Sequence, residues 1–448
     1  MKVNRQFSKQ KSAKKSAIKR SEIKRLNLWL KIWILSSLFV KIVIIMNLEA
    51  GAWLGADGES YITGANSLLK DGFYSKDSIL QYWPAGYPLF IALVAKVMIN
   101  LALPIISLLQ SLFFCYATWR LLQSLKSTPL CSILPWLSFF LSYSPTLSLA
   151  SLSIGYESPV ASSLMLLVAL LVGSKVHGDT SRHYFYRFGA ISSFIAFFQP
   201  RYLLVSIIFL CIWIFTSPKK KSLFIPASVC LVLTLMLPAL LVVRNYFATG
   251  NAVISTNLGI TMNIGAGKNA TGGYMNSGSG VECDPPAESD SQRVKCIASW
   301  YLSNPNETVR LAWNKSLFFW SPWYGPSANG TMARNPWLKI NPFVELSETD
   351  YWRKIIFGDF GKFVSTLWTL SGLLLIFLGL ASTWRYGVLG RNLVWILVVP
   401  ILVSWIVAIG TIGDHRFRLP IMSTVIALQL KGISQLRNWR RMRDLNPR

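Results

Sequence analysis

Apolar residues recur along this chain in runs of about 20, separated by short polar or basic stretches, and about 20 residues is what an α-helix needs to cross a bilayer. The runs fall at roughly 26–47, 105–124, 130–150, 158–174, 187–199, 201–216, 222–243, 361–383, 392–410 and 418–434. The pattern predicts ten spans with both chain ends on one side. The pair 187–199 and 201–216 is short and turns at Gln199-Pro200-Arg201. One more apolar stretch, Ala85–Met98, is read as a helix lying in the interface. As a span it would put the Arg120/Lys126 cluster on the side where basic residues are depleted.

The predicted order is a basic tail at 1–25, a membrane region at 26–243 and a large outer loop at 244–360. Further spans over 361–436 and a second basic tail at 437–448 complete it. The membrane region includes a first outer loop at 48–104. The expected fold is therefore an all-α polytopic membrane protein, a helical bundle of about ten transmembrane helices with juxtamembrane helices in its first outer loop.

Composition agrees: 52% of the 448 residues are apolar and 14% charged, against about 25% charged in soluble domains. The net charge of +26 is concentrated at span ends. Ten basic residues fall among the first 25, and Lys219-Lys220-Lys221, Arg385/Arg391 and the tail from Lys431 each abut an apolar run. That is the signature of positive charge retained in the cytoplasm, with contact to anionic headgroups, and no aromatic-interleaved basic module points to nucleic acid. Of the 19 acids, only Glu22, Asp179 and Asp444 fall on the cytoplasmic side of this scheme. Lys31 and Lys41 lie inside the first span and are read as snorkelling to the two surfaces. Ala50-Gly-Ala52 resembles a cleavage site, but the preceding apolar run exceeds the 7–15 residues of a signal sequence and is read as a retained anchor.

Cys115, Cys131, Cys211 and Cys230 lie in or beside apolar runs and read as packing. Cys283 and Cys296 share the large loop, where a disulfide is expected if the loop is extracytoplasmic. The three His are scattered and give no metal-ligand spacing.

Several charges meet the outer boundary: Asp57 and Glu59 after the first span, Glu157, Arg201, Arg244, and the run Asp414, His415, Arg416 and Arg418 before the last. Charged groups beside apolar spans are costly and face a cavity or a partner. Guanidinium groups suit a phosphate, and a carboxylate within reach of a hydroxyl suits a general base. The combination suggests a single displacement at a sugar carbon: Asp57 takes the acceptor's proton while arginine stabilises a departing lipid phosphate. No cofactor is required for such a leaving group, and a divalent metal stays open.

The segment Asp57-Gly-Glu-Ser-Tyr61-Ile-Thr-Gly-Ala65, followed by Trp83-Pro84-Ala-Gly86-Tyr87-Pro88, resembles the first outer loop of the membrane-embedded C-type (GT-C) glycosyltransferases. Within them it is most similar to bacterial relatives of the protein O-mannosyltransferases and of lipid A aminoarabinose transferase. Phe198-Gln-Pro-Arg201, Arg244-Asn245-Tyr-Phe-Ala-Thr-Gly250 and His415-Arg-Phe-Arg418-Leu-Pro420 resemble further segments of that group, in the same order. The resemblance implies Asp57 as catalytic base, with Glu59 as the competing acid. It implies a polyprenyl-phosphate sugar donor, a glycan, lipid or protein acceptor, and an active site on the extracytoplasmic side of the cytoplasmic (inner) membrane. Tyr61, Tyr87, Glu157, Arg201, Arg244, Asn245, His415, Arg416 and Arg418 are the candidate substrate and phosphate ligands. Trp83-Pro84-Ala85 departs from the family's basic residue followed by two prolines, so Arg201 or Arg244 would have to supply that phosphate contact.

Weaker features are the Gly-rich stretch 259–280, read as a flexible loop over the cavity, and sequons at Asn269, Asn306, Asn314 and Asn329. The aromatic run Trp313, Phe318, Phe319, Trp320, Trp323, Tyr324 reads as an interfacial belt, with sugar stacking as the sharper alternative. Two rival functions stay open: an oligosaccharide ligase or polymerase using a lipid-diphosphate donor, and a transporter, which would place its charges near the bilayer midplane.

Overall fold

Apolar runs become helices in a membrane because hydrocarbon offers backbone groups no partner, and a helix satisfies them internally. The computed structural model describes residues 2–54, 57–178, 181–215, 223–273, 280–322, 355 and 358–445. Lys219–Lys221, Trp323, Tyr324 and Asn329 lie outside the described residues. The chain is an all-α polytopic membrane protein. Its helices are α1 (Lys2–Asn47), α2 (Gly58–Asp71), α3 (Ile79–Tyr82), α4 (Gly86–Val97), α5 (Ala102–Leu125), α6 (Leu134–Tyr143) and α7 (Pro145–Leu149). Then come α8 (Glu157–His177), α9 (Arg182–Phe198), α10 (Leu203–Phe215), α11 (Phe224–Thr249), α12 (Leu258–Ile264), α13 (Asp290–Ser303) and α14 (Pro305–Trp320). The last three are α15 (Asp359–Trp384), α16 (Gly387–Gly410) and α17 (Met422–Leu445).

Each of the ten apolar runs coincides with a helix or a helix pair, but not all are equally able to span. Among the described residues six helices are long and apolar enough to cross a membrane: α1 from Lys24 onward, α5, α8, α11, α15 and α16. The pair Cys131–Tyr143 and Pro145–Leu152, bent by 48°, makes a seventh where its two halves are counted as one span. Pro145, which cannot donate to the helical ladder, follows Ser144 in an extended conformation and makes the break. The Ala85–Met98 stretch is α4, 12 residues long, with Tyr87, Ile91 and Ala92 buried and Leu93 and Val97 exposed. At about 1.5 Å per residue it is too short to span.

Lys41 does not snorkel. It is 1% exposed, and its ammonium packs 4.3 Å from the centroid of the Phe114 ring on α5. The aromatic run of α14 is no uniform belt either: Phe318, Phe319 and Trp320 are buried, and Trp320 meets Trp405 of α16 edge to face at 5.7 Å, whereas Trp313 is exposed. The Gly-rich stretch opens as an ordered turn of helix, α12, rather than as loop alone. Cys283 and Cys296 are joined in a disulfide that fastens the approach to α13 onto that helix.

Two short strands, β1 (Trp53–Leu54) and β2 (Ser153–Ile154), pair in parallel, with Leu54 opposite Ile154. The pairing binds the loop after α1 to the loop before α8. It sets the geometry of the site.

Candidate active site

Asp57 and Glu157 each lie three residues beyond a paired strand residue, Leu54 and Ile154. Asp57 is the N-cap residue of α2, and Glu157 is the first residue of α8. Two carboxylates are thus carried side by side to two helix N-termini, where the helix dipole favours negative charge. Asp57 makes no side-chain capping bond to its own helix. Both carboxylates reach Arg416, in the short helical turn His415–Ile421 between α16 and α17. Arg416 Nη2 stands 2.7 Å from Asp57 Oδ2, and Arg416 Nε donates to Glu157 Oε1. The three side chains are only 6%, 13% and 10% exposed, respectively. Burial alone would make Arg416 easier to deprotonate, but the two carboxylates outweigh it and hold its charge firmly.

A second guanidinium completes the cluster. Arg201, in the turn between α9 and α10, donates to the Tyr156 hydroxyl and lies 4.0 Å from the centroid of the Phe417 ring. Tyr156 stands between the two arginines, its ring 5.3 Å from the Arg416 guanidinium. Burial raises the Tyr156 hydroxyl's pKa, against the opposing pull of both arginines. Arg416 Nη1 and Arg201 Nε are buried, and among the described residues neither has a hydrogen-bond acceptor. Unpartnered guanidinium N–H groups are expensive in a buried site, and an oxyanion would satisfy them.

Asp57, Tyr156, Arg201, Arg416 and Phe417 border a cavity of about 560 Å³, within the range of small-ligand sites. Its walls include Asp57, Trp83, Tyr156, Arg201 and Arg416, with Asn257, Thr261 and Asp290 on the side formed by α12 and α13. Tyr61, one turn after Asp57, places its hydroxyl 3.5 Å from Asp57 Oδ2. Burial and then the neighbouring Asp57 charge keep that phenol protonated, so it acts as a donor. Both described contacts of Asp57 fall on Oδ2.

The remaining candidates are placed elsewhere. Glu59 is exposed and does not border the cavity. Arg244 is fully buried, but its donors go to the carbonyls of Phe73, Ser75 and Leu80 and to Asn245 Oδ1. Asn245 Nδ2 in turn donates to the carbonyls of Val253 and Ile254. With those donors committed, the pair braces the first outer loop against α11. Tyr87 accepts from Gly155 N at 2.8 Å and donates to Gln110, so it fixes the turn before Glu157. Arg418 donates to the Trp320 carbonyl and joins the turn to α14.

His415 is buried, and desolvation lowers it to about 3, so it is neutral; its Nδ1 is 3.7 Å from Asp414 Oδ1. Asp414 is pushed up to about 7 by burial, although it accepts the Arg416 backbone N–H at 2.7 Å. Tyr156, Asn257 and Asp290 were not singled out as site residues from sequence. Tyr156 had one signal, its place next to Glu157. Among the described residues no group of three or more His, Cys, Asp or Glu is placed to hold a metal, and the charge between the two carboxylates is supplied by Arg416.

Fold and site together define a polytopic helical membrane protein with a buried acid–arginine cluster in a cavity beside the ends of α8, α9 and α16. No family model and no curated protein matches the sequence. Among solved structures, the archaeal oligosaccharyltransferase AglB from Archaeoglobus fulgidus, in complex with an inhibitory peptide and a dolichol-phosphate, is similar at TM-score 0.43 and 12% identity. The match covers 93% of this chain and 52% of AglB, so this chain spans about half of that protein's length. A likeness this weak leaves the site to be read from its own chemistry.

Proposed function

We propose that the chain is a membrane glycosyltransferase of GT-C type, moving one sugar from a polyprenyl-phosphate donor to an acceptor hydroxyl or amine at the outer face of the cytoplasmic membrane. The observation that carries the reading is the pairing, in one cavity, of a carboxylate with two guanidinium groups that retain unpartnered donors. The donor phosphate meets Arg201 and Arg416 where they border the cavity. The acceptor approaches Asp57 Oδ1, the oxygen that Arg416 and Tyr61 leave free among the described residues.

The acceptor oxygen or nitrogen attacks the anomeric carbon, and its proton passes to Asp57. The bond from that carbon to the phosphate oxygen breaks, and its electron pair leaves with the lipid phosphate. One displacement inverts the anomeric configuration. The phosphate gains negative charge as the bond breaks, so Arg201 and Arg416 bind the transition state more tightly than the ground state. Glu157 keeps Arg416 in place while its contact with Asp57 loosens.

Asp57→Asn is expected to lower transfer about 10²- to 10⁴-fold, the usual contribution of a general base. Glu59→Gln should stay within a few-fold of the parent. The measurement is mass spectrometry of lipid-linked sugars and surface glycans in cells carrying each variant. Accumulated monophosphate donor with one sugar missing from the glycan supports the proposal. Undiminished transfer by Asp57→Asn would end it, and an accumulated diphosphate donor would point to the ligase reading.

A further inference from the structure

A second cavity, of about 670 Å³, opens between α5, α8 and α9. Arg120 lies five residues before the end of α5, and Arg187 five residues after the start of α9. At about 1.5 Å per residue both sit roughly 7.5 Å from the same end of the bundle. That end is opposite the acid–arginine site, because Glu157 begins α8 while Gly173 of the second cavity lies near its finish. It is also the end that the distribution of basic residues assigns to the cytoplasm.

The lining has two characters. Tyr116, Arg120, Gln123 and Ser124 form one polar face of α5, and Tyr184 and Arg187 lie one turn apart on α9. Leu166, Ala169, Leu170 and Gly173 form one apolar face of α8 between them. Among the described residues no acid lines this cavity and neither arginine has a salt-bridge partner. Paired guanidiniums at headgroup depth beside an apolar wall complement an amphiphile with an anionic head.

We infer that this cavity binds an anionic phospholipid of the adjacent leaflet, its headgroup phosphate held by Arg120 and Arg187 and an acyl chain lying along the Leu166–Leu170 face of α8. The site is separate from the proposed catalytic cavity and does not depend on that reading.

The test uses the full chain in detergent, supplied with equal amounts of phosphatidylglycerol and phosphatidylcholine and examined by native mass spectrometry. The parent protein is expected to retain phosphatidylglycerol preferentially. Arg120→Gln with Arg187→Gln should weaken that retention about tenfold or more, at roughly the strength of two surface basic residues. Arg120→Lys with Arg187→Lys should keep most of it, and thermal melting of both variants shows whether each is folded. Equal retention of phosphatidylglycerol by the folded Gln variant would overturn the inference, as would no preference in the parent. Displacement by inorganic phosphate alone, or selective uptake of polyprenyl phosphate, would overturn the assignment to a bilayer phospholipid.

Discussion

Arg416 is bonded to two carboxylates from different loops, with all three side chains nearly buried. Removing the cation from such a cluster leaves two desolvated negative charges facing each other, which typically costs about 3–5 kcal/mol. Arg416→Gln is therefore expected to lower the melting temperature as well as activity. Adding Glu157→Gln to that variant should recover part of the stability, because the two positions share one interaction; strictly additive losses would show that they do not. Asp414 gives a pH signature. Its carboxyl is raised to about 7 by burial, above an unfolded value of about 3.9. Its contribution to stability is therefore complete below pH about 4 and is lost as pH rises through about 7. Melting curves from pH 4 to 8 should show a decline that Asp414→Asn flattens. His415 acts in the opposite sense: lowered to about 3 by burial, it contributes fully above pH about 6.5 and loses that contribution as pH falls toward 3.

At the scale of elements, the turn that carries Asp414 and Arg416 is held by close backbone contact. A Cβ on Gly413 would lie 2.4 Å from the Lys315 carbonyl oxygen, and Gly413 N donates to the Gly272 carbonyl at 2.8 Å. Lys315 is itself buried, donating to the Tyr301 hydroxyl and the Ile409 carbonyl and lowered by desolvation to about 7. One contact thus ties α14 to the end of α16. Gly413→Ala forces those backbones apart at a cost of about 1–3 kcal/mol. It should also reduce transfer, because Arg416 moves with the turn; a variant with parental melting and turnover would show the contact to be slack. The strand pair β1–β2 plays the same part for the acids. Two residues from each loop were enough to align Asp57 with Glu157, yet so short a pairing has no periodicity that a sequence can display.

For the whole molecule the decisive question is which face of the membrane the acid–arginine cavity meets. Glu59 is exposed on α2, the helix that Asp57 begins. In a chain whose free Cys115, Cys131, Cys211 and Cys230 are replaced by Ser, Glu59→Cys should react with a membrane-impermeant maleimide added outside intact cells. Reaction only after permeabilisation would place the cavity in the cytoplasm and contradict the proposed function. The amino-acid sequence by itself determined the helical membrane class, the positions of the long apolar helices and the short apolar helix α4. Run length and polarity are local properties, and a bilayer enforces them directly. It also brought Asp57, Glu157, Arg201 and Arg416 to attention as charges at span ends. Only the tertiary structure decided their relations: Arg416 bridges an acid 259 positions away, while Arg244 spends its donors on the first outer loop. Those outcomes depend on how helices distant in sequence lean together, and an isolated charge looks the same in a sequence whether it meets a substrate or a carbonyl.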